Sequence, residues 1–299
     1  MAFTAAELHT LLTSWALHLR AERKSPNTVS SYTTGVRLFL DWAAETGTPP
    51  ALTKDMLAAF TVSLLDGGAE PATAHNRHRS VKRFSAWLAE EREIPEDHLV
   101  NARSPKVDTK VVDPLTLDEV KALIKACDGR DFRERRDEAL VRFMAETGTR
   151  AGETAALTLD AVDLAAGRAT IERGKGGRGR VVPVGPRTIR ALDRYLRLRD
   201  KHRLAGSPAF WLGDRGKGFS YPGLYEALKH RAELAGLKDF HPHRLRNTFA
   251  TRWLAGGGSE GGLMAVAGWQ RREMLDRYTR ATQSDRAAEE AARLNLGDL

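Results

Sequence analysis

The sequence predicts a mainly α-helical chain of two domains: an all-α N-terminal domain, then a mostly helical domain that adds a small antiparallel β-sheet. Three observations carry this expectation. Apolar residues recur at helical spacing in four successive segments before residue 100, with no alternating strand pattern among them. A polar stretch, Pro95 and then Asn101–Asp113, separates these segments from the rest. Beyond it only residues 169–184 read as β-structure, two short apolar runs flanking a glycine-rich tip. A chain of 299 residues is long enough for two domains, each with its own core.

Each element has a local reason. Thr4 and Glu7 have capping-box spacing, and Leu8, Leu11, Leu12, Trp15 and Leu19 share one face of a helix running to about Glu22. Ser25-Pro26 restarts the chain as N-cap and first helical residue, with Val29, Tyr32, Val36, Phe39, Leu40 and Ala43 inward, until Gly47–Pro50 ends it. Thr53 opens a third helix, closed by Asp66-Gly67-Gly68. A fourth, about Ala72 to Glu91, places Val81, Phe84, Trp87 and Leu88 at helical spacing. The first domain is therefore expected over residues 1–105, a linker over 106–113 and the second domain over 114–299.

In the second domain Thr116 and Glu119 form another capping box, for a helix through Leu123 to Ala126. A further helix, about Arg133 to Glu146, stops at Gly148; Arg150 sits on the turn and Glu153 opens the next helix, where it could hold the Arg150 loop. Ala169–Glu172 and Arg180–Val184 form a hairpin presenting Lys175 at a Gly-Lys-Gly tip. Helices resume at Thr188–Lys201 and Tyr221–Ala235, the glycine patch Gly256–Gly262 reads as a loop, and a helical tail covers about Asp285–Leu294. Cys127, the only cysteine, reads as a small core residue, which excludes an intrachain disulfide and a cysteine-rich metal site.

The net charge is +8, and its distribution is uneven. Residues 1–110 hold 13 cationic and 13 acidic side chains, so the whole excess lies in residues 111–299. A basic balance suits a polyanionic partner, most simply nucleic acid. In the fourth helix His75, Arg77, His78, Arg79, Lys82 and Arg83 crowd one half, which suits phosphate contact from a groove; the alternative is an ordinary solvated face. No apolar run approaches the roughly 18 residues of a membrane span, and the N-terminus lacks the order of a signal peptide. The expected location is the cytoplasm, on the nucleoid.

Breaking a phosphodiester without a metal requires cations on the non-bridging oxygens, a nucleophile, and an acid for the leaving oxygen. The chain supplies Arg150, Lys175, His243, Arg246, Trp269 and Tyr278. Alternatives exist residue by residue: Tyr278 as a plain helix residue, Arg150 as a helix cap, Lys175 on a solvated tip beside Arg173, Arg178 and Arg180, Trp269 as core. His241 with Arg244 makes a second H-x-x-R beside His243 with Arg246.

The ordered series T-G-T-R-A-G-E, G-K-G on a hairpin, H-R-L-R-N-T-F-A-T, then A-G-W and a tyrosine nine residues later resembles the catalytic domain of the tyrosine recombinases, the phage integrases and Xer-type enzymes. The segments S-P-N-T-V-S-S-Y and R-S-V-K-R-F-S-A-W-L resemble that family's core-binding domain. The resemblance spans essentially the whole chain, without the arm-binding domain of the larger phage enzymes. It implies a two-domain clamp on duplex DNA. Tyr278 would form a 3′-phosphotyrosyl link, Arg150 and Arg246 would hold the phosphate, Lys175 would protonate the leaving 5′ oxygen, and His243 would assist at the tyrosine. Trp269 stands where most members have a second histidine; an indole donates a hydrogen bond but cannot shuttle a proton. Arg77, Arg79, Lys82, Arg83, Arg173, Arg178, Arg180 and Arg244 are the expected further DNA contacts. No cofactor or metal is expected. The implied partners are double-stranded DNA with inverted-repeat core sites and three further copies of the chain on synapsed DNA, with monomers in free solution; accessory proteins are further candidates. The tail, ending in Leu294, Leu296 and Leu299, would dock on a neighbouring protomer or pack on its own. The rival functions are a type IB topoisomerase-like relaxing enzyme and a non-catalytic DNA-binding derivative.

Overall fold

The computed structural model describes residues 4–107, 113–173, 177–214, 216 and 218–279. The chain divides into two compact units, Met1–Lys110 and Val111–Leu299. Among the described residues no helix is long and apolar enough to cross a membrane.

The first unit holds α1 (Ala5–Ala21), α2 (Pro26–Glu45), α3 (Lys54–Asp66) and α4 (Pro71–Glu90). Their starts obey the local signals. Thr4 and Glu7 close a reciprocal capping box, Ser25 accepts from the Thr28 amide with Pro26 in the first turn, and Thr53 accepts from the Met56 amide. The inward faces meet in one core of Leu8, Trp15, Val36, Phe39, Phe60, Phe84 and Leu88. Trp15 stacks on Tyr32 at 5.9 Å between ring centroids, and Phe39 meets Phe60 edge-on at 5.4 Å. The segment after α4 returns over it: Leu99 is buried, Asp97 accepts from the Ser85 hydroxyl and the Leu99 amide, and Lys82 Nζ donates to the carbonyls of Val100 and Ala102.

The second unit is built around α6 (Phe132–Thr147), most of whose side chains are buried. Before it lies α5 (Leu117–Lys125), started by the Thr116–Glu119 capping box. After it come α7 (Ala151–Ala155), a three-stranded antiparallel sheet of β1 (Val162–Asp163), β2 (Arg168–Arg173) and β3 (Gly177–Pro183) in that order, and then α8 (Pro186–Arg199). Ala169, Ile171 and Val182 face the core while Val181 stays exposed, so the hairpin's register obeys its hydrophobic alternation. α9 (Tyr221–Leu234), α10 (His243–Ala255), α11 (Glu260–Ala267) and α12 (Glu273–Thr279) complete the described chain. Cys127 is buried against α5, its Sγ 3.3 Å from the Leu123 carbonyl, and burial pushes the thiol up to about 12.

Two features differ from the sequence expectation. The glycine patch is not all loop: Ser259 caps α11 by accepting from the Gly262 amide, and Gly261 and Gly262 are helical. The cap and the apolar Leu263 and Ala267, both buried, outweigh the low helix propensity of glycine. Strand β1, only two residues long, escaped the sequence reading. The expected tail helix at Asp285–Leu294 lies outside the described residues.

Buried His78 on α4 generates a pH dependence. Its Nδ1 lies 3.0 Å from the Thr61 hydroxyl, and burial, helped by the Lys82 and His75 charges, pushes its pKa down to about 4. The folded state favours the neutral ring, whereas the unfolded chain takes a proton near pH 6.5. Stability from this group is fully present above pH 6.5 and is lost as pH falls towards 4. Urea unfolding of the full chain should lose on the order of 2–3 kcal/mol across that window through this residue. His78→Gln should flatten the profile; an unchanged profile would assign the pH dependence to other groups.

Candidate active site

The site begins at the turn between α6 and α7. Gly148 ends α6 in the left-handed region at φ 61°, and a Cβ there would overlap the Phe249 ring, so both conformation and space demand glycine. A chain of buried hydroxyls fixes the backbone beyond it. Thr147 donates to the Phe143 carbonyl, Thr147 and Thr149 are 3.1 Å apart, Thr149 and Thr154 are 2.9 Å apart, and Thr154 donates to the Arg150 carbonyl. This network holds Arg150 as the N-cap of α7 with its side chain 45% exposed.

Glu153 organises the charges here. Its carboxylate accepts from the Arg150 amide at 2.9 Å and the Arg150 guanidinium at 2.8 Å. It also accepts two bonds from Arg180 of β3, at 3.1 and 2.7 Å. Burial alone would raise this carboxyl; the Arg180 and Arg150 hydrogen bonds and the Arg180 charge outweigh it and hold it down at about 2. Arg180 Nε completes the junction by donating to the Val266 carbonyl of α11 at 2.7 Å.

Arg246 lies one helical turn after His243 on α10. It is 1% exposed. Its terminal nitrogens donate to the Gly148 carbonyl at 2.5 Å and the Ala267 carbonyl at 2.7 Å. Its guanidinium carbon lies 5.3 Å from the centre of the Trp269 ring, within cation–π range. Trp269 packs with Phe249, Leu254, Leu263 and Leu275. His243 is exposed at the first residue of α10. His241, the alternative, is partly buried, its ring 6.3 Å from that of His243; burial, then the Arg244 charge, lowers its pKa.

The structure thus brings Arg150 and Arg246 to one turn and packs Trp269 against Arg246. Tyr278 falls within α12, but its side chain, Lys175, and the side chains of Arg173 and Arg178 lie outside the described residues. The expected DNA contacts divide. Arg79 and Arg83 lie one turn apart on the exposed face of α4. Arg77 is tied to the Ser31 carbonyl and Lys82 to the 100–102 turn. Arg244 donates to the carbonyls of Asp113 and Lys238. Arg180 differs from the others in being 11% exposed and bonded to Glu153 and to the Val266 carbonyl. Sequence reasoning missed this junction because its partners lie 27 and 86 positions from Arg180.

The chain belongs to the phage integrase family: the family's model matches residues 114–285, and the model of its N-terminal SAM-like domain matches residues 12–92. Within it, the chain is 31% identical over 261 residues to tyrosine recombinase XerD of Bifidobacterium longum, covering 83% of this chain and 84% of the relative. It is 30% identical over 301 residues to tyrosine recombinase XerC of Herpetosiphon aurantiacus, covering 96% and 97%. Among solved structures, the XerH recombinase bound to palindromic difH substrate superposes with a TM-score of 0.75 at 19% identity, over 97% of this chain and 84% of that one. A lambda integrase tetramer bound to a Holliday junction gives 0.69 at 18%, over 91% and 76%.

The Gly148 turn carries a stability prediction. Gly148→Ala imposes a left-handed alanine against the Phe249 ring, and should destabilise the fold by about 2–4 kcal/mol in chemical denaturation. A variant as stable as the parent would mean that the turn relaxes freely.

Proposed function

We propose that this tyrosine recombinase cleaves and rejoins duplex DNA by transesterification, with Tyr278 as nucleophile and Arg150, Arg246, His243, Lys175 and Trp269 around the scissile phosphate. The observation that carries the reading is the convergence of Arg150 and Arg246. Arg246 donates to the carbonyl of Gly148, two residues before Arg150, so elements nearly 100 positions apart present guanidiniums at one turn. His243 opens the same helix, and its first turn contains no acidic residue. The positive end of that helix macrodipole and the cations around it favour an anion there.

The chemistry is set by the charges. The phenol oxygen of Tyr278 attacks phosphorus, and its proton passes towards His243. The P–O5′ bond breaks, and Lys175 gives its proton to the departing oxygen. Arg150 and Arg246 neutralise the charge that grows on the non-bridging oxygens; one such donor is worth about 10²–10³ in rate. The resulting 3′-phosphotyrosyl bond conserves the energy of the diester, so attack by another strand's 5′ hydroxyl reverses the steps. Trp269 supports the site by packing against Arg246 and supplies no proton.

Solved recombinases bound to a DNA core site and, as a tetramer, to a Holliday junction support duplex DNA as substrate and four protomers at synapsis; inverted-repeat core sites and a monomer in free solution complete the proposal. Arg79 and Arg83 are the described cations of α4 best placed for phosphate contact.

A duplex nicked near the cleavage site traps the intermediate. Wild type should accumulate a covalent protein–DNA adduct, and Tyr278→Phe should form none while still binding; an adduct with the variant removes Tyr278 from the role of nucleophile. Lys175→Ala should stall on ordinary DNA, with a loss of about 10²–10⁴. A substrate with sulfur at the bridging 5′ position, whose leaving group needs no acid, should restore cleavage. Equal defects on both substrates would take the general-acid role away from Lys175.

A further inference from the structure

The Arg180–Glu153–Arg150 junction raises a question that the phosphate-binding role of Arg150 leaves open. Glu153 holds a carboxylate against a guanidinium that is proposed to bind a phosphate. A lone Arg150–Glu153 pair would be electrically neutral, and the carboxylate would compete with the phosphate for the same donors. Arg180 changes that balance. It takes both carboxylate oxygens, at 3.1 and 2.7 Å, while the Arg150 guanidinium reaches only one, through Nη1. Arg180 is 11% exposed and Arg150 is 45% exposed, so the inner cation neutralises the carboxylate and the outer one faces solvent. Two guanidiniums around one carboxylate leave a net charge of +1, presented by Arg150.

The position of Arg180 is itself enforced. Its Nε is anchored on the Val266 carbonyl at 2.7 Å. A Cβ on Gly268, which has φ 66°, would lie 3.0–3.1 Å from the Arg180 guanidinium. Strand β3, helix α7 and the end of α11 therefore meet at this one side chain.

We infer that Arg180 is a positioning residue that neutralises Glu153 and thereby frees Arg150 for the scissile phosphate. The inference rests on the proposed role of Arg150. Glu153 keeps the Arg150 backbone in place through the amide bond, and Arg180 prevents its charge from sequestering the side chain. Without Arg180, Glu153 closes fully on Arg150 and the site loses a phosphate donor. Without either charge, Arg150 is released again.

The test is single-turnover cleavage of a nicked duplex carrying the inverted repeats that wild type selects from a randomised library. DNA affinity and thermal unfolding are measured alongside. Arg180→Met should cleave about 10–100-fold more slowly, within the range for losing one phosphate donor. Adding Glu153→Gln to that variant should recover at least ten-fold, a rescue that a purely structural role would not give. Arg180→Met cleaving like wild type, or a double variant no faster than the single one, would overturn the inference. If Arg180→Met does not fold, Arg180→Lys is read in its place. It keeps the charge but not the paired bonds, so the loss should be several-fold and again reversed by Glu153→Gln; a loss that is not reversed counts against the inference. Arg150→Ala separates the two proposals. If it cleaves normally, the phosphate role of Arg150 fails; if it is inactive while Arg180→Met is fully active, only the role of Arg180 fails.

Discussion

Arg246 is a buried guanidinium whose terminal nitrogens donate to carbonyls at the ends of two helices, Gly148 at the close of α6 and Ala267 at the close of α11. Removing such a charge from water costs several kcal/mol, and that cost must be offset by well-formed acceptors. Helix C-termini are suitable ones, since their unpaired carbonyls carry the negative end of the macrodipole. The same two bonds set the architecture of the site. They tie α10 to the turn that leads to Arg150 and to the segment that leads to α12, so one side chain fixes where both of these leave their helices. A lysine at 246 could not bridge both carbonyls with one planar fork.

Around this anchor the charged groups differ in exposure. Arg246 and Arg180 are inside, anchored on carbonyls and on Glu153, whereas Arg150 and His243 are exposed. A site built on buried, mutually bonded groups needs little rearrangement when an anion arrives, which is where electrostatic catalysis draws its strength. Glu153 shows how far this goes. Its carboxyl is held at about 2 despite burial, so it stays charged through the neutral pH range.

How much of this was legible in the sequence depends on how local each cause is. Helix starts at Thr4, Ser25, Thr53 and Thr116 were readable because a cap and its partner lie within three residues. The hairpin was readable because its register obeys alternation along two adjacent strands. Arg150 and Arg246 emerged as candidates through motif order, not from any property of either residue. What was not legible is everything that joins distant segments: the Arg246 bond across 98 positions and the Arg180 bonds across 27 and 86. Arg180 was therefore read as one more exposed cation on a basic hairpin. Charge alone cannot distinguish an arginine that meets DNA from one that meets a carboxylate; only the fold places the acceptor. The glycine patch failed for a related reason, since the Ser259 cap and the buried Leu263 decide its second half as helix.

Trp269 links the anchor to the chemistry. A histidine there would add a titratable group beside a buried cation, and its own protonation would be opposed by Arg246. The indole replaces that with a neutral π-face 5.3 Å from the guanidinium and a large apolar surface packed on α10 and α11. Such packing excludes water from Arg246 and strengthens its bonds to the two carbonyls. It also leaves the handling of protons to groups outside this cluster. Exchanging a proton-transfer group for packing in this way is consistent with the proposed site, in which the arginines manage the charge at the phosphate.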